Sequence, residues 1–136
     1  MIRIVLDTNV LVSGMISAFG PPGRIIDMVR EGQVELVVDD RVLAEYAEVL
    51  SRPKFRAYFS AREVREVILF LERNMDYTVP TVRVAELPDG DDAPSLELAL
   101  TADVPLVTGN VRHFPEAHRP SADILTPAQF LERLPE

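Results

Sequence analysis

Apolar runs and turn-forming residues alternate along this chain in a way that reads as strands and helices taking turns. Ile2–Leu6 (IRIVL) is rich in β-branched residues and apolar in the manner of a strand covered on both faces. Gly20-Pro21-Pro22-Gly23 breaks the chain, and a helix is expected over about residues 24–31, with Gly32 as its C-terminal stop. VELVV at 34–38 reads as a second strand. Asp39 or Asp40 then caps a helix that runs to about Leu50 and ends in the region of Pro53.

The second half repeats the pattern. Ser60 with Glu63 forms a capping box, and Val64, Val67, Ile68 and Leu71 recur at helical spacing behind it. Tyr77–Pro80 reads as a short strand, LPDGDDAPS as a loop, and residues from Pro94 to Thr101 as a helix. Val104–Thr108 and Asp123–Leu125 are two further strands. Thr126-Pro127-Ala128-Gln129 is a second capping box, with proline at the first helical position, opening a terminal helix to about Leu134. Strands alternating with helices predict an α/β fold with a parallel sheet and helices on both faces. No repeat, low-complexity stretch or linker interrupts the pattern, so residues 1–136 read as one domain.

Composition narrows the function classes. The 136 residues are 47% hydrophobic and 26% charged, as in ordinary globular proteins, and no apolar run reaches the ~18 residues of a membrane span. The N-terminus shows no basic region or small-residue cleavage site, which predicts a cytoplasmic protein without a signal peptide. With no cysteine, disulfides and thiolate metal sites are excluded. The net charge of −8 argues against a module that holds nucleic acid by surface charge alone. It argues less against a metal-dependent nuclease, because a bound divalent cation reverses the local sign of an acidic pocket. Basic residues gather in SRPKFRAYFSAREVR, where Arg52, Lys54, Arg56, Arg62 and Arg65 surround Phe55, Tyr58 and Phe59. That run reads either as a solvated linker and helix face or as a rim that contacts phosphates.

The candidate chemistry lies in acids at the ends of predicted elements. Ligands of open α/β sheets bind beyond the carboxyl ends of the strands, which is where Asp7 follows IRIVL and Thr108-Gly109-Asn110 follows VPLV. Asp89, Asp91 and Asp92 immediately precede a helix; read singly, Asp91 or Asp92 is an N-cap. On a helical wheel Glu45 falls about 40° beyond the apolar arc of Val42, Leu43, Tyr46, Ala47, Val49 and Leu50. It is either an ordinary border residue or one that reaches around the helix into a pocket. Carboxylates converging on the end of a buried strand repel one another, and a divalent cation relieves that repulsion. Mg²⁺ and Mn²⁺ favour such all-oxygen surroundings. Asn9 is either a turn residue or a group that orients Asp7 or a bound water.

These segments resemble a known family. VLDTNVLVSG, the glutamate of LAEYAEVL, DGDDAPSLELAL and LVTGN, in this order and spacing, look like the PIN domain (PilT N-terminal). The likeness is nearest to the bacterial and archaeal toxin components of toxin–antitoxin systems, relatives of VapC-type toxins, and it extends over essentially the whole chain. GPPGRIIDMVREGQVELVV, VLSRPKF and ILTPAQFLE share it.

The resemblance implies a compact three-layer α/β/α fold around a mainly parallel sheet. It implies a Mg²⁺- or Mn²⁺-dependent endoribonuclease acting on single-stranded RNA, with a cognate antitoxin as partner and self-association as a dimer. Carried over by position, Asp7 matches the first acid, Glu45 the second and Asp92 the third, with Asp91 the alternative for the third. Thr108 and Asn110 match the polar residues after the fourth strand. Here the chain departs from the pattern: relatives carry an aspartate directly after TG or three residues later, and this chain reads TGNVRHF, with Asn110 and His113 at those positions. The departure bears on a second metal site more than on the first. His113 reads either as an exposed loop residue or as a ligand that favours Mn²⁺ over Mg²⁺. His118 reads as loop surface.

Two other readings compete. One is a PIN-like protein that binds RNA or an antitoxin without turnover. The other is an aspartyl phosphotransfer enzyme of haloacid-dehalogenase type, which needs a second aspartate two residues after the first, where this chain has Asn9.

Overall fold

The computed structural model describes residues 2–84, 92–114 and 122–134. Five parallel strands, β1 (Ile2–Leu6), β2 (Val34–Val38), β3 (Asp76–Tyr77), β4 (Leu106–Val107) and β5 (Ile124–Leu125), lie in the order β3-β2-β1-β4-β5. The chain starts in the middle strand, builds outward to β3, then crosses back to lay β4 on the other side of β1. The direction of building therefore reverses between β1 and β4, and the crevice beyond the carboxyl ends of such a pair is the usual ligand site of an open α/β sheet.

Helices α1 (Thr8–Ile16), α2 (Pro21–Arg30), α3 (Asp40–Leu50), α4 (Ala61–Asn74), α5 (Ala93–Ala102) and α6 (Pro127–Glu132) flank the sheet, giving three α/β/α layers. Ile4, Val5, Leu6, Val37, Val38, Leu106 and Val107 are fully buried, as parallel strands covered by helices should be. Arg3 departs from that apolar run. It pairs with Glu35 of β2 and Asp76 of β3, so a charged ladder crosses three neighbouring strands.

The capping chemistry forms as expected at Ser60–Glu63 and Thr126–Gln129, each with both reciprocal hydrogen bonds. Asp39, not Asp40, caps α3 by accepting from the Val42 amide at 2.9 Å. Helix α2 begins at Pro21, earlier than the expected residue 24, because the first helical turn needs no amide donors and proline fits there. It ends in a Schellman motif. Gly32 adopts φ 79°, the Gly32 amide bonds Val29 O at 3.2 Å, and the Gln33 amide bonds Met28 O at 2.9 Å. Strand β3 pairs at Asp76–Tyr77, one residue before the expected start, and the Thr78 amide makes the next bond, to Val38 O. Among the described residues no helix is long and apolar enough to cross a membrane.

Helix α1 was not visible as a separate element in the sequence. Val10, Leu11, Val12 and Gly14 are all buried, so its apolar residues do not repeat at helical spacing. It lies close against α2 and the turn before it through two glycines. A Cβ at Gly14 would stand 2.5 Å from both Ile26 Cγ1 and the Pro22 carbonyl oxygen, and one at Gly23 would stand 2.5 Å from the Ser17 carbonyl oxygen. Gly23→Ala should therefore destabilise the protein by about 1–3 kcal/mol, because backbone must move to admit the methyl group. The expected readout is a lower urea midpoint at unchanged m-value.

Candidate active site at the sheet reversal

Every candidate acid in the described residues stands where a helix leaves the carboxyl end of the sheet or one turn into it. Helices α1, α3 and α5 each start from an aspartate: Asp7, Asp39 and Asp92. Only Asp39 spends its side chain on capping. The side chains of Asp7 and Asp92 make no cap hydrogen bond with their own helices.

Asp7 reaches across the reversal point. Its Oδ2 accepts from Thr108 Oγ1 at 2.7 Å, joining the end of β1 to the end of β4, while Thr108 Oγ1 accepts from the Asn110 amide at 3.0 Å. Both side chains are buried, Asp7 with 8% exposure and Thr108 with none. Backbone bonds fix the same edge: the Asp7 amide to Val107 O at 2.9 Å and the Thr108 amide to Leu125 O at 2.8 Å.

Glu45 does reach around α3. Its Oε2 accepts from Thr8 Oγ1 at 2.5 Å, so the residue next to Asp7 orients the second acid. Glu48, one turn further on, is exposed and pairs with Arg52 at 2.9 Å. Asp92 does not act as a cap; its Oδ2 lies 3.0 Å from His113 Nδ1, an ion pair whenever the imidazole is protonated. His113 is thus turned onto Asp92. Asn110 and Asn9 are exposed, and Asp89, Asp91 and His118 lie outside the described residues.

Tyr46 lies beneath these groups. Its hydroxyl donates to the Leu6 carbonyl at 2.5 Å, and its ring is fully buried. Burial first, then the charges of Asp7, Glu45 and Asp39, raise the phenol well above the ordinary tyrosine range.

Among the described residues, no three acids or histidines are disposed to hold one metal ion together. The fit to a divalent cation therefore rests on the pair Asp7 and Glu45. They are hard oxygen donors, each already fixed by a threonine hydroxyl. One or two carboxylates, completed by waters and substrate oxygens, is the usual protein share of a Mg²⁺ site. The donor set fits.

Of the basic segment, Arg52 pairs with Glu48, Lys54 lies 5.0 Å from the Phe55 ring centroid, and Arg56 is exposed. The Glu48 hydrogen bond, with Glu45 contributing charge, holds the Arg52 guanidinium above its ordinary value. Arg52 lies just past the end of α3, which closes at Leu50. The sequence reading missed Thr8 and Tyr46 as orienting groups. A hydroxyl directly after Asp7 and a tyrosine directly after Glu45 were the available signals.

Fold and site together define an α/β domain that holds Asp7, Thr108 and Glu45 at the reversal of its sheet. The model of the PIN domain family matches residues 3–112, and the chain belongs to that family. It is 26% identical over 110 residues to Uncharacterized protein MJ1680 of Methanocaldococcus jannaschii, a match spanning 80% of this chain and 71% of that protein. The fold is similar to a chain of VapBC2 from Rickettsia felis, solved bound to a DNA fragment from their promoter. The TM-score is 0.61 at 14% identity, over 93% of this chain and 98% of the other. A chain of VapBC-1 from nontypeable Haemophilus influenzae gives a TM-score of 0.63 at 18% identity, over 94% and 99%. At these identities the likeness to the solved structures is one of fold.

Raising pH through the usual tyrosine range, about 10, should leave Tyr46 protonated in the native protein. The unfolded chain releases that proton while the native state keeps it, so stability should fall as pH rises above about 10. Of the three tyrosines, one should gain tyrosinate absorbance at 295 nm only when alkali unfolds the chain, and Tyr46→Phe should remove that late step.

Proposed function

We propose that this protein is a metal-dependent endoribonuclease, the toxin of a toxin–antitoxin pair, hydrolysing phosphodiester bonds in single-stranded RNA. The observation that carries the reading is the Asp7–Thr108 hydrogen bond across the sheet reversal, with Glu45 turned to the same edge by Thr8. Membership of the PIN domain family and the fold shared with chains of VapBC complexes support the nuclease class and an antitoxin partner.

In this reading Asp7 and Glu45 hold a Mg²⁺ or Mn²⁺ ion, and Asp92 or Asp91 completes the acid set. The bound ion would polarise the scissile phosphate and lower the pKa of a water. Thr108 and Thr8 keep the two carboxylates aimed, so neither must reorganise when substrate arrives. Asp92, steadied by His113, faces the same crevice as proton acceptor, and Asn9 and Asn110 at the rim offer amides to substrate oxygens. Arg52, Lys54 and Arg56 neutralise flanking phosphates, each contact steepening the salt dependence of binding. The protein acts as a homodimer in the cytoplasm.

Two observations favour a second reading, in which the same fold binds RNA or an antitoxin without turnover. The fourth acid is replaced by Asn110 and His113, and among the described residues no three-ligand group forms. Calorimetric titration with Mn²⁺ followed by a cleavage assay on unstructured RNA separates the two. Asp7→Asn should lower Mn²⁺-dependent cleavage roughly 100-fold or more while the fold persists, the scale of losing one preorganised electrostatic group. Wild-type activity in that variant would remove Asp7 from the chemistry. Asn110→Asp should tighten Mn²⁺ binding, and unchanged affinity would put Asn110 outside the ion's surroundings.

A further inference from the structure

Helix α5 carries a buried carboxylate that the proposed chemistry does not use. Glu97 sits between Leu96 and Leu98 with 4% exposure. One of its oxygens accepts from Arg41 Nη1 at 2.7 Å and the other from the Val84 amide at 2.8 Å. Arg41 meanwhile grips buried Asp39 through Nε at 3.0 Å and Nη2 at 2.9 Å. One turn further along α5, Thr101 Oγ1 accepts from the Thr81 and Val82 amides at 3.0 and 3.2 Å. Glu97 and Thr101 thus fasten the segment 81–84 along α5, and that segment leads toward the acids at 89, 91 and 92.

The placement of this clasp relative to the site is specific. Arg41 lies one turn before Glu45 on α3, and Glu97 lies five residues after Asp92 on α5. A single guanidinium therefore joins the two helices that carry Glu45 and Asp92. Stability alone does not account for it. Desolvating two carboxylates and a guanidinium costs about what their attraction returns, and apolar replacements of such networks are often neutral or stabilising.

We propose that Glu97 and Arg41 are positioning residues: their ion pair sets how α5, with Asp92 at its start, lies against α3, with Glu45, and so sets the spacing of the acids. This rests on the nuclease reading above. The test uses the full chain and isothermal titration calorimetry with Mn²⁺, which needs no turnover. The double variant Arg41→Met, Glu97→Leu keeps packing without charge. It also takes the guanidinium from buried Asp39 and the acceptor from the Val84 amide, so its urea midpoint should fall. Under conditions where it is folded it should bind Mn²⁺ about 10-fold more weakly, the scale of disturbing groups that orient metal ligands. Arg41→Lys keeps the charge but not the planar fork that holds Asp39 and Glu97 at once, and should fall between the double variant and wild type. Undiminished affinity in the folded double variant overturns the proposal, as it does in Arg41→Lys should the double variant fail to fold. A wild-type chain that binds no Mn²⁺ overturns the nuclease reading itself, an outcome distinct from variants that bind as wild type does.

Discussion

The pairing of β1 with β4 is the constraint on which the site depends. These strands are about a hundred residues apart in the chain, and Asp7 and Thr108 at their ends are separated by 101 positions. Parallel pairing at the reversal point brings an acid and a hydroxyl to 2.7 Å inside the protein. A buried carboxylate without donors would cost several kcal/mol or take up a proton. The Thr108 hydroxyl and the N-terminus of α1 lower that cost together at the end of an apolar strand. Backbone bonds from the end of β1 to β4, and from the end of β4 to β5, fix the same edge. Fold and site are here one set of hydrogen bonds.

That edge is electrostatically one-sided. Asp7, Glu45 and Asp39 all act on the buried Tyr46 hydroxyl, which answers by staying neutral and donating to the Leu6 carbonyl. An RNA phosphate approaching this edge meets like charge, on a protein whose net charge is already −8. Attraction must come from elsewhere. In the proposed nuclease a cation held between carboxylate and phosphate would supply it at the centre, and the arginine-rich segment after α3 would supply it at the rim. The acidic composition is therefore consistent with a nuclease that engages its substrate through a metal ion and a few arginines, not through a broad basic face.

Much of this was legible in the sequence because the signals were local. The capping boxes at Ser60 and Thr126, the Gly32 stop, and an apolar strand ending on Asp7 each declare themselves within a few residues. The helical wheel placed Glu45 at a border, and the border position is what lets it meet Thr8. What escaped was what tertiary contact decides. Helix α1 is buried on several sides and shows no periodicity, while the prolines before Gly23 look like a break and prove to be a first turn. Asp92 looked like a cap, yet its side chain turns to His113 on a 3₁₀ turn some twenty residues away. Glu97 was hidden for the opposite reason. An acid inside LELAL looks like one charged position on an exposed helix face, and only the fold shows that face to be covered.

The exchange of a fourth acid for Asn110 and His113 changes the charge balance of the crevice more than its shape. An aspartate there would add negative charge beside Asp92, raising the repulsion that a second cation would have to relieve. A histidine adds none, and through its 3.0 Å contact with Asp92 it offers a donor to the carboxylate in place of repulsion. Asp92, its side chain 14% exposed, has this donor from the protein itself. What remains is a site whose first ion would rest on Asp7 and Glu45, each held by a threonine, and whose third acid is steadied by protein groups. In the proposed nuclease the departure from the family pattern would change how many cations the site needs, while the groups proposed to hold the first, Asp7 and Glu45, keep their threonine partners.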